Sequence, residues 1–246
     1  MYKNFCISIS TIPSRLSKIH LTLESFEKQS LLPRKVFLNI PNTYLRFPNE
    51  KIEIPDLTNK FKKIDIQINR CEDFGPGTKL MGGLDSLGSF DCVILLDDDS
   101  IYHPKVCEYL IAHFNENNEA AYSFFTVKIY DLVMGQGTDG FLIPTKHLGK
   151  IKEFYDLYVR GNKYTFLNDD FWMSFYLAKY LEKPVYVTSL EHKTVEYMGS
   201  KYIYENHSQI NPLHKLYMPI LSRRTFDKLN YWRILTTLKI KKLFNK

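Results

Sequence analysis

The stretch Cys92-Val93-Ile94-Leu95-Leu96-Asp97-Asp98-Asp99 decides the fold, because an unbroken apolar run ends directly in three carboxylates. Consecutive uncharged residues of this kind are typical of a strand that is buried on both faces of a sheet. In open α/β sheets, ligands bind beyond the carboxyl ends of such strands. Because adjacent carboxylates repel one another, they favour a bound divalent cation, Mn²⁺ or Mg²⁺. The alternative is that one acid caps the helix that starts near Pro104, while the others are solvated.

The segments around this strand alternate between strand and helix patterns. Short apolar or alternating runs predict strands over residues 5–9, 36–40, 64–68, 92–96 and 185–188, with one or two more within 121–129. Apolar residues at helical spacing predict helices over residues 16–26, 78–87, 104–115 and 171–181. We therefore expect an α/β fold of Rossmann-like type, with a mixed, mostly parallel sheet and helices on both faces, in a single domain.

The basic residues are concentrated at the carboxyl-terminal end of the chain. The net charge is +6, and eight basic residues and one acid lie within residues 223–246. The rest of the chain is almost neutral, which excludes a dedicated nucleic-acid binder with a basic stripe. Residues 231–246 mix apolar and basic side chains, and three arrangements remain open for them: peripheral contact with an anionic membrane, a packed terminal helix, or a solvated end.

Length and composition set the expectations for domains and location. With 44% hydrophobic and 24% charged residues and no internal repeat, residues 1–222 are expected to form one domain, followed by a basic tail at 223–246. The amino-terminal residues lack the apolar core of a secretory signal, and no apolar run is long enough to cross a bilayer. The four cysteines show no metal-binding spacing. We expect a soluble, cytoplasmic protein, or at most a peripheral one.

Two further segments carry groups that are suited to chemistry. Asn168-Asp169-Asp170 precedes a predicted helix, where the helix dipole alone already favours acids; the pair is also suited to supply a general base. The loop Asp73-Phe74-Gly75-Pro76-Gly77-Thr78-Lys79 lacks the Walker A spacing, but its backbone N–H groups could meet a phosphate. An ordinary turn before a helix is the alternative for this loop. His207 is a candidate metal ligand, although no histidine shows ligand spacing with another.

In this order the segments resemble the GT-A glycosyltransferases, close to the large inverting family two group and its viral and bacterial capsule or lipooligosaccharide relatives. The resemblance covers roughly residues 3–215. It rests on residues 9–15 after the first strand, on 73–79, on 93–99 as the D-x-D strand, on Gly140-Phe141, and on Asp169-Asp170, where the family has a Glu-Asp pair. The Arg that family members carry later on that helix is Tyr176 here.

The resemblance implies a metal-dependent transferase that moves a sugar from a nucleotide-diphosphate sugar to a glycan or lipid-linked acceptor, with inversion. Residues 1–100 would form the nucleotide-sugar-binding half and residues 101–222 the acceptor half. The implied substrate-binding residues are Thr11, Pro13, Arg15, Asp73, Lys79, Asp97 and Asp98. The implied ligands of Mn²⁺ or Mg²⁺ are Asp99, Asp97 and His207. The implied catalytic acids are Asp170, as the base, and Asp169.

Two other classes of protein remain open. A sugar-nucleotide nucleotidyltransferase also uses metal-binding carboxylates on an α/β sheet. It usually has a Gly-rich, basic loop after its first strand, where this chain has Thr11-Ile12-Pro13-Ser14-Arg15. A non-catalytic carbohydrate-binding module has no need for a second acid pair at Asp169-Asp170.

Overall fold

Every strand that the sequence predicts has a counterpart in the fold, and the fold contains further strands as well. The computed structural model describes residues 4–57, 60–137, 140–190, 201–202 and 223–244. Within these residues the strands are β1 (Phe5–Ser10), β2 (Lys35–Pro41), β3 (Ile66–Cys71), β4 (Cys92–Leu95), β5 (Ser100–Ile101), β6 (Ala121–Ser123), β7 (Thr126–Ile129), β8 (Leu132–Gly135), β9 (Phe141–Pro144), β10 (Val187–Ser189) and β11 (Lys201–Tyr202).

The helices connect these strands and cover the sheet. The α-helices of the described residues are α1 (Ile19–Glu27), α2 (Thr78–Met81), α3 (Leu84–Leu87), α4 (Val106–Glu116), α5 (Ile151–Tyr158), α6 (Lys163–Phe166), α7 (Asp169–Phe175) and α8 (Arg223–Phe244). Short 3-10 helices over Pro13–Lys18, Gly75–Gly77 and Thr145–His147 join some of them, and α7 continues as a π-helical turn over Tyr176–Tyr180.

The central sheet has seven strands in the order β10-β6-β9-β4-β1-β2-β3. β1 pairs in parallel with β2 and β4, β2 with β3, and β10 with β6, whereas β9 is antiparallel to β4 and β6. The sheet is therefore mixed and mostly parallel, and the predicted α/β fold class is confirmed. Because β1 and β4 run in parallel, the residues that follow them emerge at the same edge of the sheet.

The packing of β4 between two hydrophobic cores explains why its sequence is apolar without alternation. Val93 and Leu95 belong to a hydrophobic core on one side of the sheet, and Cys92, Ile94 and Leu96 belong to a second core on the other side. Each of these side chains is at most 1% exposed. Burying a Val, Leu or Ile side chain stabilises the fold by about 1.5–3 kcal/mol. The strand is thus held from both faces, and its carboxyl end is fixed.

The helix predicted over residues 78–87 is divided into α2 and α3. Gly82 and Gly83 lie between the two, and a Cβ atom added at Gly82 would lie 2.7 Å from Asn39 Cβ and 2.8 Å from Cys71 Sγ. The chain bends there because glycine allows the backbone to approach β2 and β3 closely. The predicted helix over 171–181 likewise changes to the π-helical turn at Tyr176, whose side chain is buried and donates a hydrogen bond to His147 O at 2.6 Å.

The basic segment at 223–246 forms a helix, α8, that packs against the rest of the protein. Tyr231, Ile234 and Leu238 are buried members of the same core as β4 and α7. Of the three arrangements left open by the sequence, packing against the domain is the one found for the described part of this segment. No helix among the described residues combines the length and the apolar character needed to cross a bilayer.

Candidate active site

The ends of β1 and β4 bring Arg15 against the aspartates that follow β4. Pro13 opens the 3-10 helix after β1, and Arg15 projects from the first turn of that helix. Its Nη1 atom lies 2.6 Å from Asp98 Oδ1 and 3.0 Å from Asp99 Oδ2. Both aspartates are buried. One guanidinium group is therefore paired with two buried acids.

The pKa values of this group follow from its burial and charges. Burial raises the pKa of Asp98, and the neighbouring Asp99 adds to this effect, while Arg15 opposes it. Burial also opposes the charge of Arg15, but Asp98 and Asp99 outweigh it and raise the pKa of the guanidinium. Arg15 thus remains charged and is the main compensation for the two aspartates.

A second cation, Lys79 on α2, joins the two acid clusters that the sequence singles out. Its Nζ atom lies 2.5 Å from Asp97 Oδ1 and 3.0 Å from Asp169 Oδ2. Burial opposes its charge, but the carboxylates of Asp169, Asp97 and Asp170 outweigh burial and raise the pKa of Lys79 well above its ordinary value. Asp97 remains 28% exposed, which makes it the most accessible of the three aspartates after β4.

Asp170 completes the cluster from the amino-terminal turn of α7. Its Oδ1 atom accepts a hydrogen bond from Gly137 N at 2.9 Å. A Cβ atom added at Gly137 would lie 3.3 Å from Asp170 Oδ1 and 3.2 Å from Lys79 Nζ. Asn168 caps α7 by accepting from Phe171 N, and it donates to Asp227 Oδ1 of α8 at 2.5 Å. The two acid clusters therefore meet at one place in the fold.

The remaining predicted residues lie beside this cluster. Thr11 is buried after β1, and its carbonyl oxygen accepts a hydrogen bond from Tyr44 Oη at 2.8 Å. Asp73 accepts hydrogen bonds from Leu45 N at 2.7 Å and Gly75 N at 2.8 Å, so both of its oxygens shape the loop around it. Gly75 has a φ of +64°, which glycine adopts without strain. His207 lies outside the described residues.

Two residues near the cluster have no counterpart in the sequence predictions. Tyr102 Oη accepts a hydrogen bond from Asp97 N and donates one to Asp97 O, which fixes the backbone after β4. Arg46 lines a cavity of about 240 Å³ together with Lys163 and Phe166. Burial lowers the pKa of Arg46, while Asp73 and Asp98 oppose this effect. Arg46 lies in an irregular segment without periodicity, where only its position between Leu45 and Phe47 hints at partial burial.

The donor atoms of the cluster fit a hard divalent cation. Within the described part of this cluster, five carboxylates, Asp97, Asp98, Asp99, Asp169 and Asp170, interact with three bases, Arg15, Lys79 and Arg46, so the cluster has more acids than bases. The described part of the chain contains no group of three His, Cys, Asp or Glu side chains arranged to hold a metal ion. Mg²⁺ is usually held by one or two carboxylates together with phosphate oxygens.

Solved structures of similar fold are known, whereas no protein-family model and no curated protein matches this chain. A mannosyltransferase from Pyrobaculum calidifontis, in complex with GDP-Man and Mn²⁺, is 11% identical, with a TM-score of 0.45 over 61% of this chain and 47% of that one. TarS from S. aureus, in complex with UDP, is 15% identical, with a TM-score of 0.45 over 76% of this chain and 60% of that one. A 4-diphosphocytidyl-2C-methyl-D-erythritol synthase from Anaerococcus prevotii is 15% identical, with a TM-score of 0.55 over 88% of this chain and 100% of that one.

These similarities concern the fold. The likeness to the synthase extends over most of this chain and supports the Rossmann-like α/β class. Glycosyltransferases are also among the solved structures that this chain resembles, at TM-scores of 0.45. The chain spans about half the length of the mannosyltransferase and three fifths of the TarS fragment. At identities of 11–15%, the reaction has to be argued from the site itself.

Proposed function

We propose that this chain is a glycosyltransferase that moves a sugar from a nucleotide-diphosphate sugar to a hydroxyl group of a glycan or lipid-linked acceptor. The observation that carries the proposal is the junction at Lys79, which joins Asp97 at the end of β4 to Asp169 at the start of α7. A donor diphosphate needs cations, and an acceptor hydroxyl needs a base. The junction holds both kinds of group side by side.

The donor half of the proposal rests on residues 1–100. The donor half contains two cations that are paired with acids: Lys79, which is buried, and Arg15, which is partly buried. A bound diphosphate would share these cations with the acids, and Thr11, Pro13, Asp73 and Asp98 would line the nucleotide side. Divalent-cation binding belongs to the same proposal, with Asp97 and Asp99 as the carboxylate ligands and His207 as a further candidate. Such a cation would neutralise charge on the departing diphosphate.

The acceptor half of the proposal rests on residues 101–222 and on Asp170. Asp169 is paired with Lys79, and we assign the role of general base to Asp170, whose Oδ1 atom accepts a hydrogen bond from Gly137 N. As the acceptor oxygen forms its bond to the anomeric carbon, the bond from that carbon to the diphosphate oxygen breaks. The acceptor proton passes to the Asp170 carboxylate, and the electron pair of the broken bond leaves with the diphosphate. A single displacement of this kind inverts the anomeric configuration.

Donor binding is tested by thermal unfolding with a panel of nucleoside diphosphates and nucleotide sugars, with and without Mn²⁺. A ligand at 100 times its Kd stabilises the native state by about 2.7 kcal/mol and raises the Tm by several degrees. We expect a Mn²⁺-dependent shift with one nucleotide in the wild type, and none in Asp99→Ala or Asp99→Asn. Asp85→Ala, an exposed position on α3, is the matched control and keeps the shift. No shift with any nucleotide would favour the carbohydrate-binding module instead.

The base is tested by Asp170→Asn once the donor is known. Loss of a general base costs about 10²–10⁴-fold in rate, so turnover should fall by this factor while the donor-induced Tm shift is retained. The measurement is release of nucleoside diphosphate in the presence of acceptor. Equal turnover in Asp170→Asn and the wild type would remove Asp170 from this role.

A nucleotidyltransferase is the second candidate, because the synthase with a diphosphocytidyl product has a similar fold over most of this chain. Such an enzyme joins a sugar phosphate to the nucleotide of a nucleoside triphosphate and releases pyrophosphate from the triphosphate. A transferase that consumes a nucleotide sugar releases a nucleoside diphosphate. Identification of the released phosphate compound therefore separates the two candidates.

A further inference from the structure

We propose that the outward side of α8 binds an anionic membrane surface. The wheel of this helix contains two apolar faces, and the fold buries only one of them. We call Leu229, Trp232, Ile240 and Leu243 the outer face of α8; their side chains are between 48% and 75% exposed. The proposal concerns this outer face and the basic residues beside it.

The inward face of α8 is fully engaged with the protein. Tyr231, Ile234 and Leu238 are buried in the core. Two buried polar residues add hydrogen bonds: Asp227 accepts from Asn168, and Asn230 Oδ1 accepts from Thr165 Oγ1 at 3.1 Å. The helix is therefore docked in the absence of any membrane, and its orientation is fixed.

The outer face lies opposite the inward face. At about 100° per residue, the four residues of the outer face fall within a sector of about 80°. Tyr231, Ile234 and Leu238 fall within about 60°, centred on the other side of the helix. Tyr130 extends the outer face, since its exposed ring lies 5.6 Å from the ring of Trp232. Aromatic side chains of this kind favour the interface between lipid headgroups and acyl chains.

The charges that α8 itself carries are almost all of one sign. α8 carries seven basic residues and a single acid, Asp227, which is buried on the inward side. Lys228 and Lys239 are exposed and lie beside the outer face on the helical wheel, within about 40° of Trp232 and on the same side of it. An apolar stripe with lysines along one edge fits the headgroup region of an anionic bilayer, where each basic residue adds binding energy. A second copy of this chain would instead bring the lysines of two helices together.

Membrane docking would place the candidate site behind α8, roughly one helix diameter from the bilayer. Asn168, the cap of α7, is bonded to Asp227 of α8, and the next two residues of α7 are Asp169 and Asp170. A docked α8 would therefore hold the acceptor half near lipid-linked or membrane-held acceptors. This consequence rests on the proposed glycosyltransferase function, whereas membrane binding itself does not depend on it.

The test is sedimentation of the full chain with vesicles of neutral phosphatidylcholine, with and without phosphatidylserine, in the absence of donor and acceptor. We expect binding to the anionic vesicles that weakens at high salt. Lys228→Gln with Lys239→Gln should reduce the affinity by about 25-fold, and Trp232→Ser with Leu243→Ser by about tenfold or more. Leu157→Ser with Tyr186→Ser, which alters exposed apolar residues elsewhere, should bind like the wild type.

Trp232 also reports on the contact directly. It is exposed, whereas Trp172 is fully buried, so a blue shift of the tryptophan emission on anionic vesicles arises from Trp232. Unchanged thermal unfolding would confirm that each variant is folded. Absence of binding to anionic vesicles would overturn the proposal. So would a concentration-dependent dimer that the outer-face variants abolish while vesicle binding stays absent, because the face would then belong to a second copy.

Discussion

At the scale of single residues, Lys79 is the group on which the candidate site depends most. It is buried and lies between Asp97 and Asp169, with Asp170 also acting on its charge. Arg15 forms the corresponding ion pairs with Asp98 and Asp99. The acids that make the site chemically useful are thus tolerated in the fold because two cations reach them from α2 and from the turn after β1.

We expect Lys79→Met to destabilise the protein strongly at neutral pH. Removing one partner of a buried ion pair costs about 3–5 kcal/mol, because the remaining charges are left uncompensated. The folded-state pKa of Lys79 is raised above its ordinary value, so its contribution is fully present at pH 7 and is lost only as the pH rises through that raised pKa. The measurement is urea unfolding of the wild type and the variant at pH 7.

The control for this prediction is Lys152→Met. Lys152 is exposed, and its Nζ atom lies 3.9 Å from Asp156 Oδ2 on the surface of α5. Surface ion pairs contribute about 0–1 kcal/mol, so this variant should unfold close to the wild type. A loss of stability in Lys79→Met no larger than that of the control would contradict the view that Lys79 compensates the acid cluster.

At the scale of elements, α8 is a structural part of the fold and not an appended tail. It carries two isoleucines in different environments: Ile234 is 0% exposed and Ile240 is 48% exposed. The same helix therefore supplies a matched pair of positions, one in the core and one on the outer face. Packing against the core and docking to a membrane are separable properties of the two faces.

We expect Ile234→Ala to lower the free energy of unfolding by about 2–5 kcal/mol, since it removes buried methyl groups and leaves a cavity. Ile240→Ala should change it by no more than about 0.5 kcal/mol, because exposed positions contribute little. Chemical denaturation of both variants measures the difference. Similar values for the two would mean that α8 is not docked through its inward face.

At the scale of the whole molecule, the sheet brings together groups that are far apart in the sequence. Lys79, Asp97, Gly137 and Asp170 come from different connections, yet each lies within about a hydrogen-bond length of another of them. The parallel pairing of β1 and β4 and the position of α7 produce this arrangement. A synthase that is only 15% identical to this chain has a similar fold, so this scaffold is compatible with very different sequences.

The sequence alone determined the features that depend on local patterns. The apolar run of β4 predicted a strand buried on both faces, and its three aspartates predicted a cluster of charge at the end of that strand. Alternation of strands and helices predicted the mixed, mostly parallel sheet. These properties follow from hydrophobic periodicity and from the connection rules of α/β folds, which act over a few neighbouring residues.

Only the tertiary structure decided which charges meet and which face of α8 is buried. No spacing in the sequence pairs Arg15 with Asp98 and Asp99, or Lys79 with Asp97 and Asp169, because these contacts depend on how distant segments are placed by the sheet. The wheel of α8 contains two apolar faces, and sequence periodicity cannot tell which one packs. The face that packs is the one whose residues find partners in the folded chain. Asp227, for example, accepts a hydrogen bond from Asn168, and the two residues meet only once the chain has folded.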